Sequence, residues 1–135
     1  MREITAEVSR FIETDPKEVY AVLTDYSGGH QAILPKQYFS GLSVIEGGQG
    51  SGTIISVRMK VMGVKSRYQF HITEAEPGRI LVETDDVAGV VTTFTVDPAD
   101  GGKRSRVAIA TRSRASKGAG GLIERLVNPV IMHRI

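Results

Sequence analysis

The stretch VSRFIETDPKEVYAVLTDY (Val8–Tyr26) changes its apolar period halfway along, and this change determines how the chain begins. Its first half completes an alternation of apolar and polar residues over positions 4–12, which predicts a strand. Asp15 is a good helix cap, and Pro16 suits the first helical position. Apolar residues then recur at helical spacing, which predicts an amphipathic helix over 16–25. The chain therefore opens with a strand that leads directly into a helix.

The remainder of the chain reads as a sheet followed by one more helix. A second short helix is predicted from His30 to Leu34, ended by Pro35. From residue 38 the apolar period becomes two, with strands predicted at 38–45, 55–61, 66–72, 80–85, 90–96 and 106–112. Six consecutive strands with short connections indicate an antiparallel meander, and hence an α+β fold. A final apolar stripe predicts a C-terminal helix that covers the sheet; it consists of Leu122, Ile123, Leu126, Val127, Val130 and Ile131.

The composition excludes several classes of function. The 135 residues suffice for a single domain, 1–135, and the net charge of +2 is too small to indicate a nucleic-acid partner. The chain has no cysteine, which excludes a disulfide scaffold, a thiolate metal site and a cysteine nucleophile. The three histidines follow no metal-binding spacing, so neither a metal nor a cofactor is predicted. Because the first residues lack a secretory signal and no apolar run approaches the roughly 20 residues of a membrane span, a cytoplasmic protein is expected.

Three stretches carry a resemblance to a known superfamily. They are the strand–helix stretch quoted above, the glycine turn GGQGSGTIISVRM (Gly47–Met59) and the tail GLIERLVNPVIMHRI (Gly121–Ile135). Together they resemble the START-like, helix-grip (SRPBCC) superfamily, which includes polyketide cyclase/dehydrase and lipid-transport-like proteins. The resemblance implies a curved six-to-seven-stranded antiparallel sheet wrapped around the C-terminal helix. It also implies a cavity between them for a hydrophobic small molecule such as a lipid, quinone, sterol or polyketide.

The inward-facing residues of the predicted sheet and final helix are the candidate ligand contacts, although apolar stripes of this kind are mostly core packing. Met59 and Tyr68 favour a lining role, because one side chain is adaptable and the other carries a polar tip. The candidates on the sheet are Val57, Met59, Val61, Tyr68, Phe70, Ile72, Val82, Thr92, Phe94 and Ile109. The candidates on the final helix are Ile123, Leu126, Val127 and Val130.

The polar and charged side chains are expected mainly in solvent. This expectation covers the three histidines, with His71 pointing away from the cavity, and two pairs of carboxylates that flank turns. These pairs are Glu74 with Glu76 and Glu83 with Asp85.

Arg10 has two possible orientations. Strict alternation would aim it inward, where it could anchor an acidic head group, whereas a bulge would turn Phe11 inward and leave Arg10 in water.

Two further features invite a functional interpretation. The glycine cluster at 47–52 is not a phosphate loop, because it enters a strand rather than a helix and lacks a Gly-Lys-Ser/Thr end. Basic residues on the outward strand face predict a solvated surface, with transient contact to anionic lipid as the alternative. No aromatic residues interleave with them, which disfavours binding to single-stranded nucleic acid. These residues are Arg58, Lys60, Lys65, Arg67, Arg106, Arg112 and Arg114.

The sequence leaves more than one function open. The first is binding or carriage of a hydrophobic small molecule, and the second is a polyketide cyclase or dehydratase that uses the same cavity. An enzyme would need an acid or base inside the cavity, for which Tyr68, Arg10 and His71 are the candidates. Because the pattern places no convincing carboxylate or histidine inside, the carrier is favoured and no catalytic residue is assigned. A module that binds other proteins through its basic face is a third possibility.

Overall fold

The computed structural model of the protein describes residues 3–33, 39–61 and 63–114. The predicted C-terminal helix and Leu34, the predicted end of the second helix, lie outside these residues. The described elements are the strands β1 (Glu3–Ile12), β2 (Phe39–Glu46), β3 (Ile54–Val61), β4 (Val64–Glu76), β5 (Ile80–Asp85), β6 (Val90–Ala99) and β7 (Arg104–Arg114), with the helices α1 (Pro16–Thr24) and α2 (Gly29–Ile33).

The start of α1 confirms the predicted capping. The Asp15 carboxylate accepts a hydrogen bond of 2.9 Å from the backbone N–H of Glu18, and Pro16 occupies the first turn. The helix buries the side chains of Val19, Tyr20 and Leu23 against the sheet. The spacing of these residues therefore fixes which side of the helix faces the core.

The seven strands form one antiparallel sheet in the order β1-β7-β6-β5-β4-β3-β2. Strands β2 to β7 follow one another as the predicted meander, and β1 pairs with β7 at one edge. Together with the two short helices after β1, this confirms the α+β architecture of the helix-grip type. The pair of Val8 with Ile109 lies near the centre of the β1–β7 ladder and joins two residues that are distant in the sequence.

The inner face of the sheet is the face that packs against α1. Directly paired residues on neighbouring strands share a face, so the inner face can be followed from strand to strand. One row crosses four strands through Leu81, Phe94, Ile109 and Val8. The first three of these side chains are buried, and Val8 packs against the same core.

Strand β5 presents the opposite face to the one that the sequence pattern suggests. Leu81, not Val82, pairs with inward-facing Phe94, and burial along the strand alternates accordingly. The inward orientation expected for Val82 is therefore wrong. Hydrophobicity favours the set of Ile80, Val82 and Thr84. Pairing with β4 and β6 nevertheless turns the other set, with Leu81, inward.

The glycine loop at 47–52 connects the end of α1 to the sheet through backbone hydrogen bonds. The N–H of Tyr26 donates to the Gly48 carbonyl at 2.8 Å, and the N–H of Gly50 donates to the Thr24 carbonyl at 3.0 Å. Gly48 has φ of +140°, and a Cβ at this position would lie 2.6 Å from the Ser27 hydroxyl oxygen. The loop joins the paired strands β2 and β3, which agrees with the predicted hairpin.

Candidate functional site

Most of the predicted sheet contacts lie on the inner face. Register places them there through pairs such as Val57 with Tyr68 and Phe94 with Ile109. Tyr68 is half-buried and stacks on Phe70 with ring centroids 5.7 Å apart. The residues found on this face are Val57, Met59, Tyr68, Phe70, Ile72, Thr92, Phe94 and Ile109. They form a mainly apolar face on β3, β4, β6 and β7; on β5, between them, the inward residues are Leu81, Glu83 and Asp85.

Other predicted contacts fall elsewhere. Val82 is half-buried on the outer face, opposite Leu81 and Glu83. Val61 is the last residue of β3, but its side chain is not among the described ones. The predicted contacts of the final helix, Ile123, Leu126, Val127 and Val130, also lie outside the described residues.

A cluster of Tyr26, His30 and Glu83 occupies the inner face beneath the helices. The Tyr26 hydroxyl donates to Oε2 of Glu83 at 2.6 Å, and Nε2 of His30 lies 3.6 Å from the same oxygen. The residues are 0%, 4% and 7% exposed, respectively. A phenol, an imidazole and a carboxylate therefore meet in a largely dry environment.

The turn between α1 and α2 positions both aromatic rings of this cluster. The N–H of Tyr26 donates to Gly48, and the N–H of His30 donates to the Asp25 carbonyl at 2.8 Å. The two rings stack with centroids 4.4 Å apart, and Phe94 meets the imidazole edge-on at 5.8 Å. Short backbone bonds and ring packing thus hold the two side chains over β5 and β6.

The hydrogen bond of the His30 ring shows which of its two nitrogens carries a hydrogen. Nδ1 lies 2.7 Å from the Leu23 carbonyl oxygen, which can only accept, so Nδ1 carries a hydrogen. Nε2 is the ring nitrogen that faces Oε2 of Glu83. This arrangement has the chemical groups of an acid–base site.

The surface positions expected for His30, Glu83 and Asp85 are wrong. Glu83 and Asp85 belong to the alternating set of β5 that pairing turns inward, and they are 7% and 6% exposed. His30 is the second residue of α2, where strand alternation gives no information about side-chain direction. His71 is exposed on the outer face of β4, as predicted. His133 lies outside the described residues.

Asp85 and Glu74 have structural roles. The Asp85 carboxylate accepts hydrogen bonds from the N–H groups of Gln69, Val87 and Ala88, which fixes the turn between β5 and β6. Glu74 accepts a hydrogen bond of 2.8 Å from the Tyr20 hydroxyl and is half-buried. Both carboxylates therefore have their partners within the protein.

Arg10 lies on the inner face but is exposed. It pairs with buried Val107 in an unbroken β1–β7 register, so the bulge that would have turned Phe11 inward does not occur. Phe11 is 56% exposed on the outer face, with the Arg104 guanidinium 4.8 Å from its ring centroid. Strict alternation thus gives the correct face for Arg10, and the bulge that the sequence pattern favoured is wrong. The exposed Arg10 side chain agrees with the solvent position expected together with that bulge.

The outer face carries the basic residues. The side chains of Arg58, Lys60, Lys65, Arg67, Arg106 and Arg112 are exposed, as predicted. Arg114 ends β7, and its side chain is not among the described ones. Among the described residues, no group of three or more His, Asp or Glu side chains could hold a metal ion, and no helix is long and apolar enough to span a membrane.

The family of the chain follows from its sequence. The model of the family described as polyketide cyclase/dehydrase and lipid transport matches residues 3–133. The chain therefore belongs to this family, within the START-like superfamily. No curated protein matches the chain in sequence.

Solved structures share the same fold. The KanY protein has a TM-score of 0.83 at 24% identity, covering 99% of this chain and 95% of that one. A START superfamily protein from Mycobacterium smegmatis has a TM-score of 0.71 at 8% identity, covering 96% and 92%. The Zhui aromatase/cyclase from Streptomyces sp. R1128 has a TM-score of 0.65 at 14% identity, covering 98% and 87%. At these identities the likeness extends to the fold alone.

The hydrogen bond from Tyr26 to Glu83 makes the stability of the protein depend on pH in the alkaline range. Burial, reinforced by the Glu83 carboxylate, raises the pKa of the Tyr26 hydroxyl far above its ordinary value of about 10. Native Tyr26 thus keeps its proton above pH 10, while the unfolded chain releases it. The stabilisation is fully present below about pH 10 and falls by up to about 1.4 kcal/mol per pH unit above it.

Tyr26→Phe should lower the free energy of unfolding at neutral pH by about 1–3 kcal/mol, because Glu83 loses its donor. The variant should also lose stability less steeply than the wild type above about pH 10. Urea unfolding from neutral to alkaline pH measures both effects. The other tyrosines contribute equally to the alkaline slopes of both proteins, so the difference between the slopes reports Tyr26. Equal alkaline slopes would show that Tyr26 is not held in its protonated form.

Proposed function

We propose that the protein binds, and carries, a hydrophobic small molecule between the inner face of its sheet and its C-terminal segment. The observation that supports this is the extensive apolar cluster of the inner face, which includes Met59, Val57, Phe70, Phe94 and Ile109. Membership of a family described by cyclase, dehydrase and lipid-transport functions supports the same class of ligand. Ligands of this kind bind mainly through apolar area, with a few polar groups fixing their orientation.

Native mass spectrometry of the protein purified from its host should reveal a co-purifying lipophilic molecule. The site is tested with diphenylhexatriene, an apolar probe without a head group, whose fluorescence rises on binding. Met59→Trp adds bulk to the inner face and should weaken probe binding about tenfold, a cost of about 1.4 kcal/mol.

The matched control is Thr73→Trp, which places the same ring on the exposed outer face of β4 and should leave the affinity unchanged. Thermal unfolding establishes that both variants are folded. Equal affinities in the two variants would contradict a binding site on the inner face.

Carriage requires contact with a membrane, and the hairpin of β3 and β4 suits this role. Arg58 pairs with Arg67 and Lys60 with Lys65, so like charges face each other directly across the two strands. Such pairs are destabilising, and within the described part of the chain none of the four forms an ion pair. Val64 beside them is 59% exposed. A cationic surface with an exposed apolar side chain matches an anionic lipid surface.

A hollow of about 390 Å³ adjoins this hairpin. It is lined by basic residues of the outer face and by Met59 and Ser66, whose register belongs to the inner face. The basic surface is therefore next to one end of the proposed ligand site. This proximity supports transfer of the ligand at the membrane.

Reversing two charges, Lys60→Glu with Lys65→Glu, should abolish co-sedimentation with vesicles of phosphatidylcholine and phosphatidylserine. Each basic residue near such a surface contributes about 1 kcal/mol, and salt should weaken the binding. The control is Arg106→Glu with Arg112→Glu, which removes the same charge from β7 and should leave binding intact. Equal losses in both double variants would mean that net charge, rather than the hairpin, determines the contact. Preferential binding to a nucleic acid would contradict the membrane assignment.

A second candidate function is that of a cyclase or dehydratase. The specific observation in its favour is the cluster of Tyr26, His30 and Glu83, which supplies the inward acid–base groups that the sequence pattern did not predict. A base of this kind can remove the proton next to a carbonyl, and an acid can assist departure of a hydroxyl as water. The apolar surface serves either activity, whereas the basic β3–β4 hairpin favours a carrier in particular. The carrier therefore remains the better supported function.

The enzyme alternative can be tested with a β-hydroxyketone that bears an apolar tail, since its dehydration gives an enone with a strong ultraviolet absorbance. His30→Phe keeps an aromatic ring but lacks the basic nitrogen, and it should lower turnover about 100-fold while the substrate still binds. Tyr68→Phe tests the other inward candidate. No turnover by the wild type would contradict this alternative, and unchanged turnover in His30→Phe would exclude His30 from the reaction.

A further inference from the structure

The inner face changes from apolar to polar over a short distance. Leu81, Phe94 and Ile109 form one row across β5, β6 and β7. The next inward row, about 7 Å along the strands, is Glu83, Thr92 and Thr111. An apolar molecule lying on the first row would therefore place its end against the second.

One of the two Glu83 carboxylate oxygens has no donor among the described residues. Oε2 accepts the Tyr26 hydroxyl and faces His30, whereas no group within the described ranges donates to Oε1. The residue is only 7% exposed. Because a carboxylate oxygen accepts hydrogen bonds, Oε1 is a position at which a donor group of a ligand could bind.

The neighbouring threonines offer a complementary donor. The hydroxyl oxygens of Thr92 and Thr111 are 2.9 Å apart, so one of them donates to the other. Two hydroxyl groups carry two hydrogens, and this bond uses one of them. Both side chains are buried in the row that contains Glu83. A ligand group that both donates and accepts, such as a hydroxyl, could use both kinds of partner.

The charges at this end of the face disfavour an anion. Among the described inward residues at this end, Glu83 and Asp85 bring two carboxylates, against at most one positive charge on His30. Arg10 shares the inner face, but it pairs with Val107, which is four residues along β7 from Thr111, about 13 Å away. A carboxylate head group would meet like charge at the Glu83 end, whereas an ammonium group would meet opposite charge.

We propose that Glu83 binds the hydrogen-bond-donating head group, an ammonium or a hydroxyl, of a ligand whose apolar part lies on the row of Leu81, Phe94 and Ile109. The site therefore selects amines and alcohols over carboxylic acids of the same length. Tyr26 acts as a positioning residue, because its hydroxyl holds Oε2 and leaves Oε1 for the ligand. This inference rests on the proposed function of binding a hydrophobic molecule.

The test uses decylamine, decanol and decanoate, which share one alkyl chain and differ in the head group. Isothermal titration calorimetry below their aggregation concentrations gives the three affinities. The wild type should bind the amine and the alcohol at least about tenfold more tightly than decanoate. In Glu83→Gln, which keeps an acceptor for Tyr26 but lacks the charge, the preference for the amine should fall about tenfold or more.

The control is Glu74→Gln, which removes a half-buried carboxylate that Tyr20 already occupies. This variant should keep the wild-type order of affinities, and thermal unfolding establishes that each variant is folded. Equal binding of all three ligands by the wild type, or tighter binding of decanoate, would overturn the head-group assignment alone. Failure of all three to bind would contradict the proposed function itself. Loss of the preference in both variants would assign it to overall charge rather than to Glu83.

Discussion

The hydrogen bond from Tyr26 to Glu83 connects the two halves of the fold. Tyr26 belongs to the turn between the helices, and Glu83 lies on the middle strand of the sheet, so this contact of 2.6 Å joins segments 57 residues apart. A carboxylate buried to this extent is costly without a donor, and the phenol supplies one. The position of the helices over β5 and β6 therefore depends on satisfying one acidic side chain. His30 stacks on the same ring and closes the cluster.

The inward position of Glu83 also divides the inner face into an apolar part and a polar part. The strand register aligns Leu81 with other apolar residues in one row across the sheet. Two residues further along the strands, it aligns a second row that contains Glu83. Because side chains alternate along each strand, these rows must lie side by side on one face. A ligand bound as proposed would therefore meet an apolar surface with a polar end. Carriers and enzymes of one family can share such a surface, since binding an apolar molecule precedes either outcome.

The buried polar cluster also changes the balance between the functional alternatives. The sequence pattern favoured a carrier because it placed no acid or base inside. The structure brings an imidazole and a carboxylate to 3.6 Å from each other on the inner face. The proposed carriage therefore rests on the extent of the apolar surface and on the cations of the β3–β4 hairpin, which form no ion pair with the described residues. Those cations face outward, as the alternation of β3 and β4 predicts.

The sequence by itself determined the order of the elements, the capped start of α1 and the inner faces of β3, β4, β6 and β7. In each case one alternating set is clearly more apolar than the other, or a cap has a distinctive chemistry, so local information was sufficient. The face of β5 was decided only by the tertiary structure. Its two sets, containing Val82 on one side and Leu81 on the other, are both partly apolar, and pairing with Phe94 selects the second. That selection turns Glu83 inward, and the turn after α1 then brings His30 to it. The inward positions of Glu83 and His30 could not be predicted from the spacing of residues in the sequence. Their contact joins distant segments and exists only once the sheet has formed.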